Sequence, residues 1–324
     1  MSETTVESTN SRFGLHPRTF TRLATITTLA LGLIVVSGAA VRLTGSGLGC
    51  PDWPSCYQHQ LVASASIHPL IEFTNRMVTI AITVLIAVTV VVAHLRSPKR
   101  RDLILLSWLL VLGVVGDAVL GGIVVYTKLN PYLVMTHMWL SLAMVAVGMV
   151  TIHRSRYDYS PGARADVASP ATKKVSLVIV GLFIMVVMAG TATTGTGPHA
   201  GGSQGQLVAK RIPVALRDMV MVHSAFAVAF VGVLLATFVI LEGIGAPARV
   251  RGAAKRLFLI GLAQGAIGFI QFATHLPALL VELHVLGAVS LTMGVTGFQL
   301  AQVSRDKESW VTASKTKDPV PVAA

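Results

Sequence analysis

Apolar residues along this chain gather into eight long stretches, with polar residues confined to the segments between them. The stretches run about 20–42, 71–95, 102–126, 131–153, 174–195, 214–242, 254–274 and 278–303. Each reaches the ~20 residues that a helix needs to cross a bilayer core. None alternates with the two-residue period of a strand, and lipid offers no partner to an open backbone, so the pattern predicts helices. The expected fold is an all-α polytopic membrane protein with eight transmembrane helices.

Composition agrees. The chain is 53% hydrophobic and 12% charged, about half the charge of a soluble domain. Its net charge of +12 raises the question of nucleic acid, but the cations have a different logic. Arg96, Lys99, Arg100 and Arg101 follow the second stretch; Arg154, Arg156, Arg164, Lys173 and Lys174 the fourth; Arg249, Arg251, Lys255 and Arg256 the sixth. Arg18 and Arg22 precede the first stretch, and Arg305 and Lys307 follow the eighth. Cations concentrated in alternate loops mark the cytoplasmic side. Both termini are therefore expected in the cytoplasm of a plasma-membrane protein, contacting lipid headgroups and not nucleic acid. The first stretch is too long for a signal-peptide core and lacks a small-residue cleavage site. Residues 1–19 and 304–324 read as cytoplasmic tails.

The halves repeat. "LGGIVVYTKLNPYLVMTH", ending at His137, aligns without gaps with "IGFIQFATHLPALLVELH", ending at His284, at an offset of 147 residues. "TGSG" at Thr44 answers "TGTG" at Thr194, and "EFTN" ending at Asn75 answers "VMVH" ending at His223. Two four-helix units, 20–153 and 174–303, are expected in parallel orientation, joined by a cytoplasmic linker over 154–173.

Ionisable groups in a membrane helix are costly and mark function by default. His16, His59, His68, His94, His153, His199 and His275 fall in tails, loops or helix ends. His137, His223 and His284 instead lie about two turns into even-numbered helices, roughly 10 Å below the outer surface. Three imidazoles at one depth and at repeat-related positions suit axial ligation of haem, with His223 and His284 clamping one haem from both sides. The plain alternative is polar contact between helices. The residue answering His223 in the first half is Asn75, a poor iron ligand. Glu72 lies one turn earlier on the same face, and Arg76 is placed to pair with Glu72 or to meet a haem propionate. Asp218 reads as a cap or a neighbour of a propionate; Asp117 and Glu282 have no assigned role. Cys50 and Cys56, the only cysteines, fall in an outer loop, where a structural staple and a labile redox pair are both open readings.

These motifs resemble the haem A synthases: "RLTGSGLGCPDWPSC" (Arg42 to Cys56), "EFTNR" (Glu72 to Arg76), "LGGIVVYTKLNPYLVMTH", "TGTGPHAG" (Thr194 to Gly201) and "THLPALLVELH" (Thr274 to His284). The likeness covers roughly residues 20–303, and "TGTGPHAG" looks like the actinobacterial branch. The resemblance implies an eight-helix pseudo-twofold bundle that oxidises the C8 methyl of haem O, through a hydroxymethyl, to the formyl of haem A for cytochrome c oxidase, with oxygen from water. It implies haem b between His223 and His284, haem O as substrate at His137, Asn75 and Arg76 in the first half, Glu72 as the catalytic carboxylate, and Cys50 with Cys56 as a disulfide or redox pair. Many members have His where this chain has Asn75, and many have a second outer cysteine pair that is missing here. Haem O synthase (protohaem farnesyltransferase), membrane quinone and a second copy of the chain are the implied partners. The rival reading is a di-haem cytochrome b that exchanges electrons with quinone and alters no haem. A transporter would fit the repeat, but its ionisable groups would gather at the midplane.

Overall fold

Local signals start five of the eight helices earlier than hydropathy alone predicts, while the sixth helix starts two residues later. The computed structural model describes residues 14–57, 62–156, 165–202 and 209–304. The N-terminal tail through residue 13, His59, linker residues 157–164 and the C-terminal tail from residue 305 lie outside the described residues. Eight helices form among them: α1 Pro17–Leu43, α2 Ile67–Leu95, α3 Arg101–Tyr126, α4 Pro131–Ser155, α5 Pro170–Thr196, α6 Leu216–Gly243, α7 Ala248–Ala273 and α8 Ala278–Ala301. Helices α1 and α5 begin at prolines, whose missing N–H costs nothing in a first turn. His16 accepts the N–H of Arg18 at 3.1 Å, and Ser169 accepts that of Thr172 at 3.1 Å, so side chains cap both starts. Helix α7 takes in the basic turn 248–253 ahead of its apolar run, because hydropathy marks the bilayer and not the end of hydrogen bonding. Helix α8 stops at Ala301, short of the expected 303. Val303–Ser304 (β2) instead pairs antiparallel with Ala165–Asp166 (β1), a two-residue tie between linker and C-terminus.

Helices α1 to α4 close a ring in which each packs on its neighbours, and α5 to α8 close a second; α1 and α4 meet α5 and α8 between them. One apolar core fills the second ring around Phe230, Leu257 and Phe298. Another fills the first around Ile86, Leu110 and Val145 and includes Val289 of α8. The opposite surface is apolar too. On α3, Leu105, Trp108, Leu112, Val115 and Val119 are exposed at helical spacing, a stripe that only lipid satisfies. The chain is a multi-pass membrane protein.

Small residues let helices approach where no hydrophobic force separates protein from lipid. A Cβ on Gly148 of α4 would fall 2.5 Å from Thr28 Oγ1 of α1. Polar ties span the same seams: Thr27 with Thr89 at 2.9 Å, and Trp139 Nε1, which donates across the halves to Thr191 Oγ1 at 3.0 Å.

The repeat is also written in the backbone. Lys128 and Leu129 carry φ of 53° and 60°, and His275 and Leu276 carry 63° and 61°. The pairs stand 147 residues apart, so the α3–α4 and α7–α8 turns share one left-handed geometry that side chains with a Cβ adopt at a cost.

Gly148→Leu is expected to wedge α1 from α4 and to cost about 1–3 kcal/mol, read as a lower unfolding temperature in detergent. Gly181→Leu, where an added Cβ meets nothing within 4 Å, is expected to leave it unchanged.

Candidate functional site

The polar centre begins where the α1–α2 loop folds back on α2. Glycine permits the approach: a Cβ on Gly49 would stand 2.7 Å from the backbone of His68 and Pro69. Cys50 and Cys56 are joined as a disulfide, and both are buried. The loop also leans on the other half. Gly47 N–H donates to Gly201 O at 3.0 Å, and His199 Nε2 lies 2.9 Å from Leu276 O. The two Gly-rich loops thus form one roof over both helix rings.

Glu72 and Arg76 pin this roof. Glu72, 6% exposed, accepts the Cys50 N–H on Oε2 at 2.8 Å and Arg76 Nη2 on Oε1 at 2.6 Å. Arg76 Nη1 donates to Asp52 O at 2.8 Å and Ser55 O at 2.9 Å, and Nη2 also to Cys50 O at 3.2 Å. A guanidinium has five N–H donors, four of them on the two terminal nitrogens. Those four are all taken. Of the two roles open to Arg76, the structure realises the pair with Glu72, and only Nε–H is left for a propionate. Trp53 of the same loop lies on Gly122 of α3, where a Cβ would be 2.8 Å from its ring, and Tyr126 donates to Trp53 O at 2.5 Å.

Asn75, one residue before Arg76, turns to α1: its Oδ1 accepts Ser37 Oγ at 2.9 Å. His137 sits on α4, across the first ring from α2. Its Nδ1 lies 3.0 Å from Asp117 Oδ1 of α3, at an angle short of a straight hydrogen bond. Ser141 Oγ stands 2.6 Å from Asp117 Oδ2. Asp117 and Ser141 were not legible as partners of His137. The available signal was depth: Asp117 lies nine residues before the end of α3 and His137 six after the start of α4.

In the second ring His223 of α6 and His284 of α8 face each other, ring centroids 6.1 Å apart and planes at 79°. His223 Nδ1 lies 3.1 Å from Val186 O, which leaves Nε2 free to accept. Glycines back both rings: a Cβ on Gly190 would be 2.9 Å from His223 Cε1, and one on Gly268 3.0 Å from His284 Cε1. Asp218 sits in the first turn of α6, where a carboxylate suits the helix dipole. Glu282 and Arg42 attract each other between α8 and α1.

Residues 21–296 match the model of the COX15-CtaA family, described as cytochrome oxidase assembly protein. The Heme A synthase of Geobacillus kaustophilus is 30% identical over 148 residues, 44% of this chain and 46% of that protein. That of Geobacillus thermodenitrificans is 34% identical over 106 residues, 32% of this chain and 33% of its own. That of Listeria welshimeri is 32% identical over 124 residues, 37% and 40% of the two chains. Each match thus spans less than half the length of the relative.

Removing the acceptor of the Cys50 N–H is expected to free the roof. In Glu72→Ala, hydrogen exchange at the Cys50 amide should accelerate about tenfold or more, the equivalent of the roughly 1.5–3 kcal/mol of a charged hydrogen bond.

Proposed function

The chain belongs to the family of cytochrome oxidase assembly proteins, and we propose from that premise that it is a haem A synthase. The observation that carries the reading is the facing pair His223 and His284. Two imidazoles sharing one metal through bonds of about 2 Å, with about 1.1 Å from each nitrogen to its ring centre, would have centroids about 6 Å apart. The pair stands at 6.1 Å. Nδ1 of His284 is buried with no hydrogen-bond partner among the described residues, a cost that packing alone does not explain. These residues fit haem b, which would be held from α6 and α8, with Gly190 and Gly268 making room for the imidazoles. When bound, haem b supplies one-electron transfer at that site.

The first half takes haem O as substrate at His137. The farnesyl tail favours entry from lipid. The C8 methyl is oxidised twice, first to a hydroxymethyl and then to a geminal diol; each step adds the oxygen of one water and releases two protons and two electrons, which a membrane quinone accepts as it becomes quinol. Loss of water leaves the formyl of haem A, with the oxygen atom drawn from water. Glu72 is the catalytic carboxylate. Fixed by Arg76 and the Cys50 amide, it keeps a lone pair on each oxygen for a developing positive charge at the oxidised carbon, or for the proton of an attacking water. Arg76 positions Glu72 and closes the roof. Asn75 leaves His137 without a second imidazole, so the substrate iron keeps an open or weakly held position.

The disulfide supports an oxidising, extracytoplasmic location for the roof, and the cations of the alternate loops support a cytoplasmic location for those loops and both termini. Haem O synthase is the enzyme class that must supply the substrate, and cytochrome c oxidase is the consumer of the product.

Acid extraction and chromatography of the pigments bound to purified protein test the reading. Haem A together with haem O is expected when haem O synthase is co-expressed; haem B alone would mark an electron-transfer cytochrome. Glu72→Gln keeps the shape of the side chain but not its charge, and is expected to lower haem A formation about a hundredfold or more with haem O or the hydroxymethyl species accumulating. His284→Ala should abolish the low-spin b-type absorption, and an unchanged spectrum would reject the clamp.

A further inference from the structure

Asp117 backs His137 with a carboxylate, whereas neither His223 nor His284 has one among the described residues. Asp117 Oδ1 and His137 Nδ1 are 3.0 Å apart; both atoms are sealed from solvent, and neither makes an aligned hydrogen bond among the described residues, so each is the other's nearest charge partner. The carboxylate is itself held. Ser141, one turn beyond His137, brings Oγ to 2.6 Å from Oδ2 and to 3.0 Å from the carbonyl oxygen of His137. About 40% of the His137 side chain stays open. With Nδ1 sealed, the open part of the ring is the part that carries Nε2. A neutral imidazole has one N–H. Facing a carboxylate, that proton sits on Nδ1, and the lone pair of Nε2 points into the open space.

The second half is built otherwise. At the offset of 147, Gln264 stands for Asp117 and Ala288 for Ser141. Gln264 Nε2 donates to the backbone carbonyl of His284 at 2.8 Å. Its Oε1 is buried without a partner in space that Gly287 leaves, where a Cβ would fall 1.7 Å from that atom. His223 Nδ1 has only the neutral carbonyl of Val186.

We propose that Asp117 is the positioning residue of His137: it fixes the tautomer that offers Nε2 to the iron of haem O, and it makes this imidazole a stronger donor than His223 or His284. The inference rests on the reading of His137 as the ligand of the substrate iron. A charged acceptor behind a ligating histidine raises its basicity. A more basic ligand favours ferric over ferrous iron and holds the site at a lower potential than the bis-imidazole site. Electrons taken from the substrate then run downhill to the second half, and the carboxylate opposes their return.

The test uses full-length protein co-expressed with haem O synthase, in wild type, His137→Ala, Asp117→Asn and Asp117→Glu. Redox titration and ferric electron paramagnetic resonance read each haem separately, and the haem of the second half reports that each variant is folded. Asp117→Asn is expected to weaken the His137-dependent haem about 10–100-fold, to raise its midpoint potential and to leave the second haem unchanged. Asp117→Glu is expected to restore most of the wild-type potential, which a merely structural role would not require. If His137→Ala removes one haem but Asp117→Asn leaves the potential and spectrum of that haem as they were, the role of Asp117 is overturned and the ligand reading stands. If His137→Ala removes no haem, both fall.

Discussion

A polar side chain within a bilayer has no water to fall back on, so each one must find its partner inside the protein. That constraint organises this molecule. Arg76 uses its fork to gather three carbonyls of the cysteine loop and the carboxylate of Glu72. Asp117 meets His137 and Ser141. Without these partners, a guanidinium and two carboxylates near the membrane face would each remain an uncompensated charge. With them, the α1–α2 loop becomes a fixed roof and the first ring acquires a polar wall. His284 and Gln264 of the second ring depart from it: His284 Nδ1 and Gln264 Oε1 are buried with no partner among the described residues.

The halves share a scaffold and differ in chemistry. Their α3–α4 and α7–α8 turns have the same pair of left-handed residues, and glycines stand beside His137 and His284 at matched positions, Gly121 and Gly268. Onto this common frame the chain places Asn75 against His223, and Asp117 against Gln264. One half offers two imidazoles; the other offers one imidazole backed by a carboxylate, with Glu72 on the facing helix. Under the proposed function, these differences would give one half a site for moving electrons and the other a site for changing the haem itself.

Much of this was legible beforehand, for physical reasons. Hydropathy counts bilayer depth directly, so all eight helices and the common depth of three histidines follow from spacing. The helix ends were less legible, since Pro17, Pro170 and the basic turn 248–253 lie past the apolar core that hydropathy measures. The partners were least legible. Arg76 binds backbone carbonyls, which every residue possesses and none advertises. Asp117 finds His137 from a neighbouring helix, where sequence periodicity is silent and only matching depths bring the two together. The cysteine pair left two readings open, and the bond between Cys50 and Cys56 ties the loop that Glu72 and Arg76 also hold.

The central claim is that two iron porphyrins sit at one depth, one between His223 and His284 and the other on His137 beneath the Cys50–Cys56 roof. An experimental density map of the purified protein with its native pigments, carrying an anomalous or elemental iron signal, tests it most directly. The account predicts one iron bonded to both His223 and His284, and a second bonded to His137 with no imidazole opposite. Imidazoles that pack on aliphatic side chains with no macrocycle between them, or a single iron bound elsewhere, would contradict it.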